Sequence, residues 1–414
     1  MVSLIGSGLT SFALGISVYQ RTGSVTQFAL ISVFIMLPGI VISPVAGAIV
    51  DRYDRRKMMI LSDMASGSAT LCVALLLFTS SLALWEVYAL VSMASLANAF
   101  RLPSYMALSS QMVPLEFMGR VGGMMQFSSA TAQMISPILA AGLIGLIGLP
   151  GIISIDVATF FIAILVLLKV RFPSLPPAAA EKERRSLLRE SGEGWHYIVE
   201  RPGLLGLLAF FSLINLTFAF FEVLLPPMVL AFANSKMLAA IMSAGGVGYL
   251  AGSILMTAWG GPKLRIRWLL IYSFFYGAAL IANGLRPSAL LITCSLFVVA
   301  FTIPLISACS HAVWQSKTER HIQGRVFSTR TVAAWASIPL SYFLAGRLAD
   351  MFFEPLMTEH GHLAGTWIGA IGTGRGRGIA LLIILNGILS ILVSGTCSLN
   401  SRFRNVEREL PDIA

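Results

Sequence analysis

The sequence predicts an all-α membrane protein of twelve transmembrane helices in two pseudo-symmetric six-helix bundles. Three observations carry that prediction: its hydropathy, the alternation of its basic loops, and an internal echo between its halves. The 414 residues are 56% hydrophobic and only 12% charged, with a mean hydropathy of +0.81. Soluble domains carry about 25% charged residues. The apolar runs are long enough to cross a hydrocarbon core of about 30 Å as helices, and they lack the alternating pattern of a β-barrel strand.

Taken in order, the runs place spans at 2–20, 26–50, 58–80, 84–112, 120–147, 150–170, 204–231, 237–259, 268–285, 288–315, 326–350 and 376–399. The first is short because Met1 falls almost inside it, so either the true start lies upstream, the favoured reading, or this helix is abbreviated; no cleavable leader is expected before it. Basic residues then orient the chain. One set of loops holds Arg52, Arg55, Arg56 and Lys57, then Arg120, the stretch from Lys169 to Arg201, Lys263 to Arg267, Lys317 to Arg325, and Arg402 to Arg408. The opposite set holds little beyond Arg21, Lys236, Arg286, Arg375 and Arg377. Lys and Arg are retained on the cytoplasmic side, so both termini are expected there, in a multi-pass protein of the cell membrane. Residues 1–170 form the first bundle and 204–399 the second. Residues 171–203 read as a cytoplasmic linker, proline-broken at Pro173, Pro176 and Pro177, in which Leu187, Leu188, Trp195 and Ile198 mark an amphipathic interfacial helix. Residues 400–414 are a cytoplasmic tail.

The halves echo each other. Ala99-Phe100-Arg101-Leu102-Pro103 in span four matches Ala300-Phe301-Thr302-Ile303-Pro304 in span ten. Gly119-Arg120-Val121 at span five matches Gly324-Arg325-Val326 at span eleven. Paired six-helix repeats suit a carrier, because rocking one half against the other exposes a midplane site to each side in turn.

Six of the seven residues from Asp51 to Lys57 are charged, between two strongly apolar runs. The pattern Gly47-x-x-x-Asp51-Arg52-x-x-Arg55-Arg56 resembles the loop 2–3 signature of the major facilitator superfamily. The resemblance implies the major facilitator fold and a conformational latch: Asp51 facing the positive end of span eleven, and Arg52, Arg55 and Arg56 pairing with carboxylates. Charge at a helix end is worth about 0.3–1 kcal/mol, a scale that suits a bistable contact. A merely solvated positive loop is the plainer alternative. Asp54 stands where the family usually has glycine. Thr22-Gly23-Ser24, the AFRLP segment, the GRV start of span five, Gly376 to Leu381 and the tail Val406 to Asp412 are similar to the drug:H⁺ antiporter-3 branch, associated with macrolide efflux and siderophore export. The glycine-rich exporter pattern of span five is reduced here to Ser136-Pro137-Ile138-Leu139-Ala140-Ala141. Close packing of Pro137 and its small neighbours against Ala244, Gly248 and Gly252 of span eight remains feasible. The arginine that many proton antiporters carry in outer span four is absent, with Val91 and Ser92 there instead.

Charged side chains inside spans cost about 2.5–3.5 kcal/mol on insertion scales, so each invites a reason. Arg101 breaks the repeat, its counterpart being Thr302. It can pair with a carboxylate, contact an anionic substrate group, tune a proton site, or extend toward the interface. Glu222, within Asn215 to Pro227, is the deepest acidic residue. It is a candidate for proton coupling or substrate binding, with Asn215 sharing its cavity and Pro226 and Pro227 permitting a bend; a hydrogen bond within the bundle is the alternative. Asp63, Asp156 and Asp350 sit nearer span ends, where an ion pair or helix cap is expected.

Other classes are excluded by placement. The net charge of +10 is distributed over alternate loops rather than one basic face, so no nucleic-acid partner is expected. Cys72, Cys294, Cys309 and Cys397 lie in apolar runs without CxxC spacing and read as small core residues. Gly372 to Gly378 lacks the Lys-Ser/Thr of a phosphate loop and reads as the turn into span twelve. His360 and His362 make a poor metal site, Asn215-Leu216-Thr217 is a sequon inside a span, and no metal, cofactor or catalytic cluster is expected. The expectation is a monomeric secondary transporter, not an enzyme, exporting a bulky amphipathic small molecule against proton entry. A lipid or lysophospholipid transporter of the same fold is the alternative, with an embedded enzyme or sensor behind it. One charge crossing about 150 mV releases roughly 3.5 kcal/mol, enough for a gradient of a few hundredfold.

Overall fold

A computed structural model describes residues 2–79, 83–112, 118–169, 187–319, 322–358, 361, 371–404 and 406–409. The side chains of some residues within its helices, among them Gly47, Asp51, Arg52, Arg55 and Arg120, lie outside the description. The elements are α1 (Val2–Thr22), α2 (Val25–Arg52), α3 (Arg55–Phe78), α4 (Leu84–Met112), α5 (Met118–Lys169), α6 (Leu187–Val199), α7 (Pro202–Leu230), α8 (Ser235–Trp259), α9 (Arg265–Leu285), α10 (Ala289–Lys317), α11 (Gln323–Leu348), a π-helical turn at Ala349–Phe353 running into α12 (Glu354–Leu356), α13 (Arg377–Leu399), and the short α14 (Ser401–Arg404) and α15 (Val406–Glu409). Among the described residues, ten helices are long and apolar enough to cross a membrane.

One of the ten is two segments. Gly148 breaks α5 with φ 67° and ψ −179°, a conformation open to glycine and costly for other residues, and Pro150 follows. Ser136 Oγ donates to the Ile5 carbonyl (3.1 Å) and Ser7 Oγ donates to Asp156 Oδ1 (3.3 Å). Residues 136 and 156 would stand about 30 Å apart on a straight helix, yet both meet the same turn of α1, so the chain folds back at Gly148. Separately, α4 spans 29 residues and carries Glu86, Arg101 and several serines, and it is not among the ten. With α5 counted as two and α4 included, the long helical segments among the described residues number twelve.

The chain divides at Lys182/Glu183 into two compact units. Within the N-terminal unit, α1 packs on both segments of α5, α4 packs on α2 and α3, and α3 packs on α5. Within the C-terminal unit, α7 packs on α11 and α13, α10 on α8 and α9, and α9 on α13. This is the same neighbour pattern, which the AFRLP/AFTIP and GRV echoes foreshadow. Leu9, Leu14, Ile31, Val73, Val91 and Ile152 build the N-terminal core. Leu75, Leu146, Phe161, Ile162 and Leu165 are exposed on its outer faces, as side chains in contact with lipid must be, since hydrocarbon does not drive apolar groups inward.

Turn chemistry explains several sequence signatures. Thr22-Gly23-Ser24 closes α1 and opens α2: Gly23, at φ 67°, donates its N–H to Tyr19 (2.8 Å), a left-handed helix end, and Ser24 Oγ accepts from Gln27 N (3.2 Å) as N-cap. Residues 372–378 do form the turn into α13, whose first turn is capped from outside: Glu354 accepts from Gly376 N (3.1 Å) and Ile379 N (3.0 Å).

Two sequence expectations change. Cys309 is buried, but Cys72 and Cys294 are exposed; a thiol is apolar enough to sit on a lipid-facing surface as well as in a core. Residues 187–199 cluster with the C-terminal unit, where Ile198 is fully buried while Trp195 is half exposed. There Gly194 lies against the Arg325 carbonyl, Glu193 pairs with Arg325, and Tyr197 donates to the Lys317 carbonyl (3.3 Å). The side chains of Leu187 and Leu188 lie outside the described residues.

Candidate functional site

The charged loop between α2 and α3 is built first by helix capping. Tyr53 ends α2, its N–H donating to the Ile49 carbonyl (3.2 Å). Asp54 then N-caps α3, its carboxylate accepting from Arg56 N (2.9 Å) and Lys57 N (3.2 Å). Where the resembled signature has glycine, this chain has a cap whose negative charge also suits the positive helix start. Of the residues expected to form a latch, Gly47, Asp51, Arg52 and Arg55 have side chains outside the description, and Arg56 lies with Lys57 in the first turn of α3.

Arg101 and Asp63 meet inside the N-terminal unit, Nε to Oδ1 at 3.3 Å, with side chains 28% and 13% exposed. Of the options open to Arg101, pairing with a carboxylate is the one this geometry realises, and the partner is the ion pair expected of Asp63. Ser62 ties the same two helices by donating to the Ala97 carbonyl. Asp156 stands apart: it is 2% exposed and is met by the hydroxyls of Ser7 (3.3 Å) and Thr70 (3.3 Å).

In the C-terminal unit, Glu222 is held by Tyr342 of α11, whose hydroxyl donates to Oε2 at 2.8 Å. Glu222 is exposed at the surface of this unit and precedes Pro226 and Pro227 by one turn of α7. Asn215 lies two turns earlier on the same face. Beside them, Asn386 Nδ2 donates to the Thr217 carbonyl (2.7 Å), and Tyr276 is buried nearby at 1% exposure. Gly248 and Gly252 are used within this unit: a Cβ at either would overlap a carbonyl of α10, Phe297 or Phe301 respectively. Pro137 is half-buried on α5 in the N-terminal unit. His360 and His362 lie outside the described residues.

Sequence reasoning missed Arg330. It is 4% exposed and donates to His311 Nδ1 (3.2 Å) and Ser310 Oγ (3.1 Å). Its guanidinium stands over the rings of Phe211 (5.1 Å) and Trp314 (5.3 Å). The signal was present, an arginine four residues beyond Gly324-Arg325-Val326 with a histidine on span ten, but the neighbouring basic loop masked it.

Known proteins resemble this chain along most of its length. The family model described as Major Facilitator Superfamily matches residues 1–342. Macrolide efflux protein A of Streptococcus pyogenes is 28% identical over 356 residues, 84% of this chain and 87% of that protein. Multidrug efflux pump Tap of Mycolicibacterium fortuitum is 25% identical over 354 residues, 83% of this chain and 86% of that protein. Among solved structures, a bacterial homologue of the human lysosomal transporter Spinster superposes with a TM-score of 0.71, covering 99% of this chain and 95% of that one at 12% identity, a likeness of fold. With the membrane-crossing helices, the repeated packing and the family match all in agreement, the chain belongs to the Major Facilitator Superfamily and is a multi-pass membrane transporter, not an enzyme.

Proposed function

We propose that this transporter is a proton-coupled exporter of bulky amphipathic small molecules, working as a monomer by alternating access. The observation that carries the reading is the run of similarity to proteins named for macrolide and multidrug efflux, which extends over more than four fifths of each partner. The residue chemistry is compatible with it. Glu222 is a carboxyl among apolar side chains, hydrogen-bonded by Tyr342, a group that can carry a proton; Asn215 and the prolines share its helix. The distribution of basic residues supports a cytoplasmic position for both termini at the cell membrane, and Gly47, Asp51, Arg52, Arg55 and Arg56 are the proposed latch there. Arg101, paired with Asp63, supports the N-terminal unit and is a second coupling candidate.

The test is substrate-induced proton movement in energised inverted vesicles, read with a pH-sensitive dye against macrolides, siderophores and lipophilic cations. Full-length protein is compared with Glu222→Gln. The expected result is a proton flux triggered by a macrolide and lost in Glu222→Gln. Flux that survives the substitution removes Glu222 from the mechanism, and its absence with every compound, alongside transbilayer movement of labelled lipid, transfers the protein to lipid transport.

A further inference from the structure

Asp156 belongs to no latch, pair or cap. It lies on the second segment of α5 and is 2% exposed. Ser7 of α1 donates to its Oδ1 and Thr70 of α3 to its Oδ2, each at 3.3 Å, and Thr10 of α1 stands beside it. Gly6 makes the approach possible, since a Cβ there would come within 2.8 Å of Oδ1. Asp156 and Thr70 each lie eight residues from the ends of their helical segments at Gly148 and Phe78, and Thr10 lies twelve from the same-side end of α1. At 1.5 Å per residue these are depths of about 12–18 Å, close to the middle of a core about 30 Å thick.

Among the described residues no cation reaches this carboxyl. The charged groups on the elements packed against it are distant or engaged. On α1 there is Arg21, eleven residues beyond Thr10. On α3 there are the basic residues of the first turn and Asp63, which is taken by Arg101. On α5 there are Arg120 and Lys169, the latter thirteen residues away. Cys72, two residues past Thr70, is exposed on another face. An ionised carboxylate here would be an isolated charge at mid-bilayer, a costly arrangement. The neutral acid fits the surroundings better, because it brings one O–H donor and keeps its acceptor capacity. The acceptor for that O–H is at hand: the buried Thr10 hydroxyl oxygen stands beside the carboxyl and meets no other polar group.

From this juxtaposition we infer that Asp156 is a proton-binding site inside the N-terminal unit, holding the neutral acid between α1 and α3 and giving up the proton when α1 shifts during the transport cycle. The second half of this statement rests on the exporter reading; the first does not. Ser7 and Thr10 are both on α1, so displacement of that one helix removes two of the three hydroxyls together. It also opens the Gly6 contact to water, which can then take the proton.

Infrared difference spectroscopy of the full-length protein in lipid vesicles tests it. At neutral pH the wild type is expected to show a protonated-carboxyl carbonyl band that Asp156→Asn lacks, and Thr10→Val is expected to shift that band by removing its acceptor. In the same vesicles Asp156→Asn should keep substrate counterflow and lose efflux driven by an imposed pH gradient. Absence of the band from the wild-type-minus-variant difference overturns the inference. So does a thermal stabilisation by sodium chloride over choline chloride that Asp156→Asn abolishes, which would mark a sodium site. If Asp156→Asn fails to insert, the Thr10→Val spectrum decides alone: a shifted band supports the site and an unmoved one overturns it. A wild type that shows the band but no pH-driven efflux refutes the transport role while leaving the proton site standing.

Discussion

The two units share their packing and differ in their charges. In the N-terminal unit the span-four position two before proline is Arg101, paired across to Asp63 on α3. In the C-terminal unit the matching position is Thr302, whose hydroxyl turns back to its own helix and donates to the Val299 carbonyl (2.8 Å). The C-terminal unit instead carries its buried cation on α11, as Arg330, answered by a histidine, a serine and two aromatic rings. Its membrane carboxyl, Glu222, meets a tyrosine rather than a cation. A duplicated scaffold therefore tolerates exchange of its polar interior as long as each group finds some partner, because the helix contacts and the buried polar groups are met by different atoms.

The sharpest way to break the comparison is at the helix seams. A Cβ at Gly248 of α8 would overlap the Phe297 carbonyl of α10, whereas at Gly39 of α2 it would lie 3.0 Å from the Ser95 hydroxyl and 3.1 Å from its carbonyl on α4. Neither backbone carbonyl can rotate away, but the added Cβ would overlap that of Phe297 outright and only crowd that of Ser95. Gly248→Ala should lose about 3 kcal/mol, and Gly39→Ala about 1, read as midpoints of thermal unfolding in detergent. Equal losses would mean that the two seams are equally tight.

The charges come next. Arg101→Met leaves Asp63 without its cation, and with both side chains partly exposed the loss should be about 2 kcal/mol, recovered by adding Asp63→Asn. Arg330→Met removes a buried cation that has no carboxylate among the described residues, and should change stability by less than about 1 kcal/mol. A large loss at Arg330 would reveal an acidic partner and erase the contrast.

The smallest effects concern two related helix starts. Asp54 caps α3 from the adjacent residue. The repeat counterpart, α9, has Leu264 at its N-cap and no side-chain cap of its own. It is capped from the tail, Glu407 accepting from Arg265 N (2.9 Å) and Ile266 N (3.1 Å) while Lys317 Nζ donates to the Glu407 carbonyl (2.8 Å). Asp54→Ala and Glu407→Ala should each cost about 1 kcal/mol. Deleting the chain from residue 405 onward should reproduce only the second effect, because Asp54 does not depend on the tail.

Hydropathy by itself determined the helices, since a backbone in hydrocarbon must satisfy its hydrogen bonds within the segment; ranges such as 84–112 agree with Leu84–Met112 of α4. The echoes between the halves likewise foretold the repeated neighbour pattern, because the same packing faces come from the same residues. Partners were another matter. Arg101 was visible as a charge needing an answer, but Asp63 is 38 residues away and became that answer only when α3 met α4. Asp156, six residues into the span read as 150–170, was taken for a span-end residue, and its enclosure shows only in its partners on α1 and α3, while Arg330 was hidden beside a basic loop. Glu407 was legible only as a residue of the cytoplasmic tail, and it caps a helix that begins 142 residues earlier. Local physics decides where a helix runs. Which side chains meet across helices depends on register and crossing, and those exist only once the helices are packed.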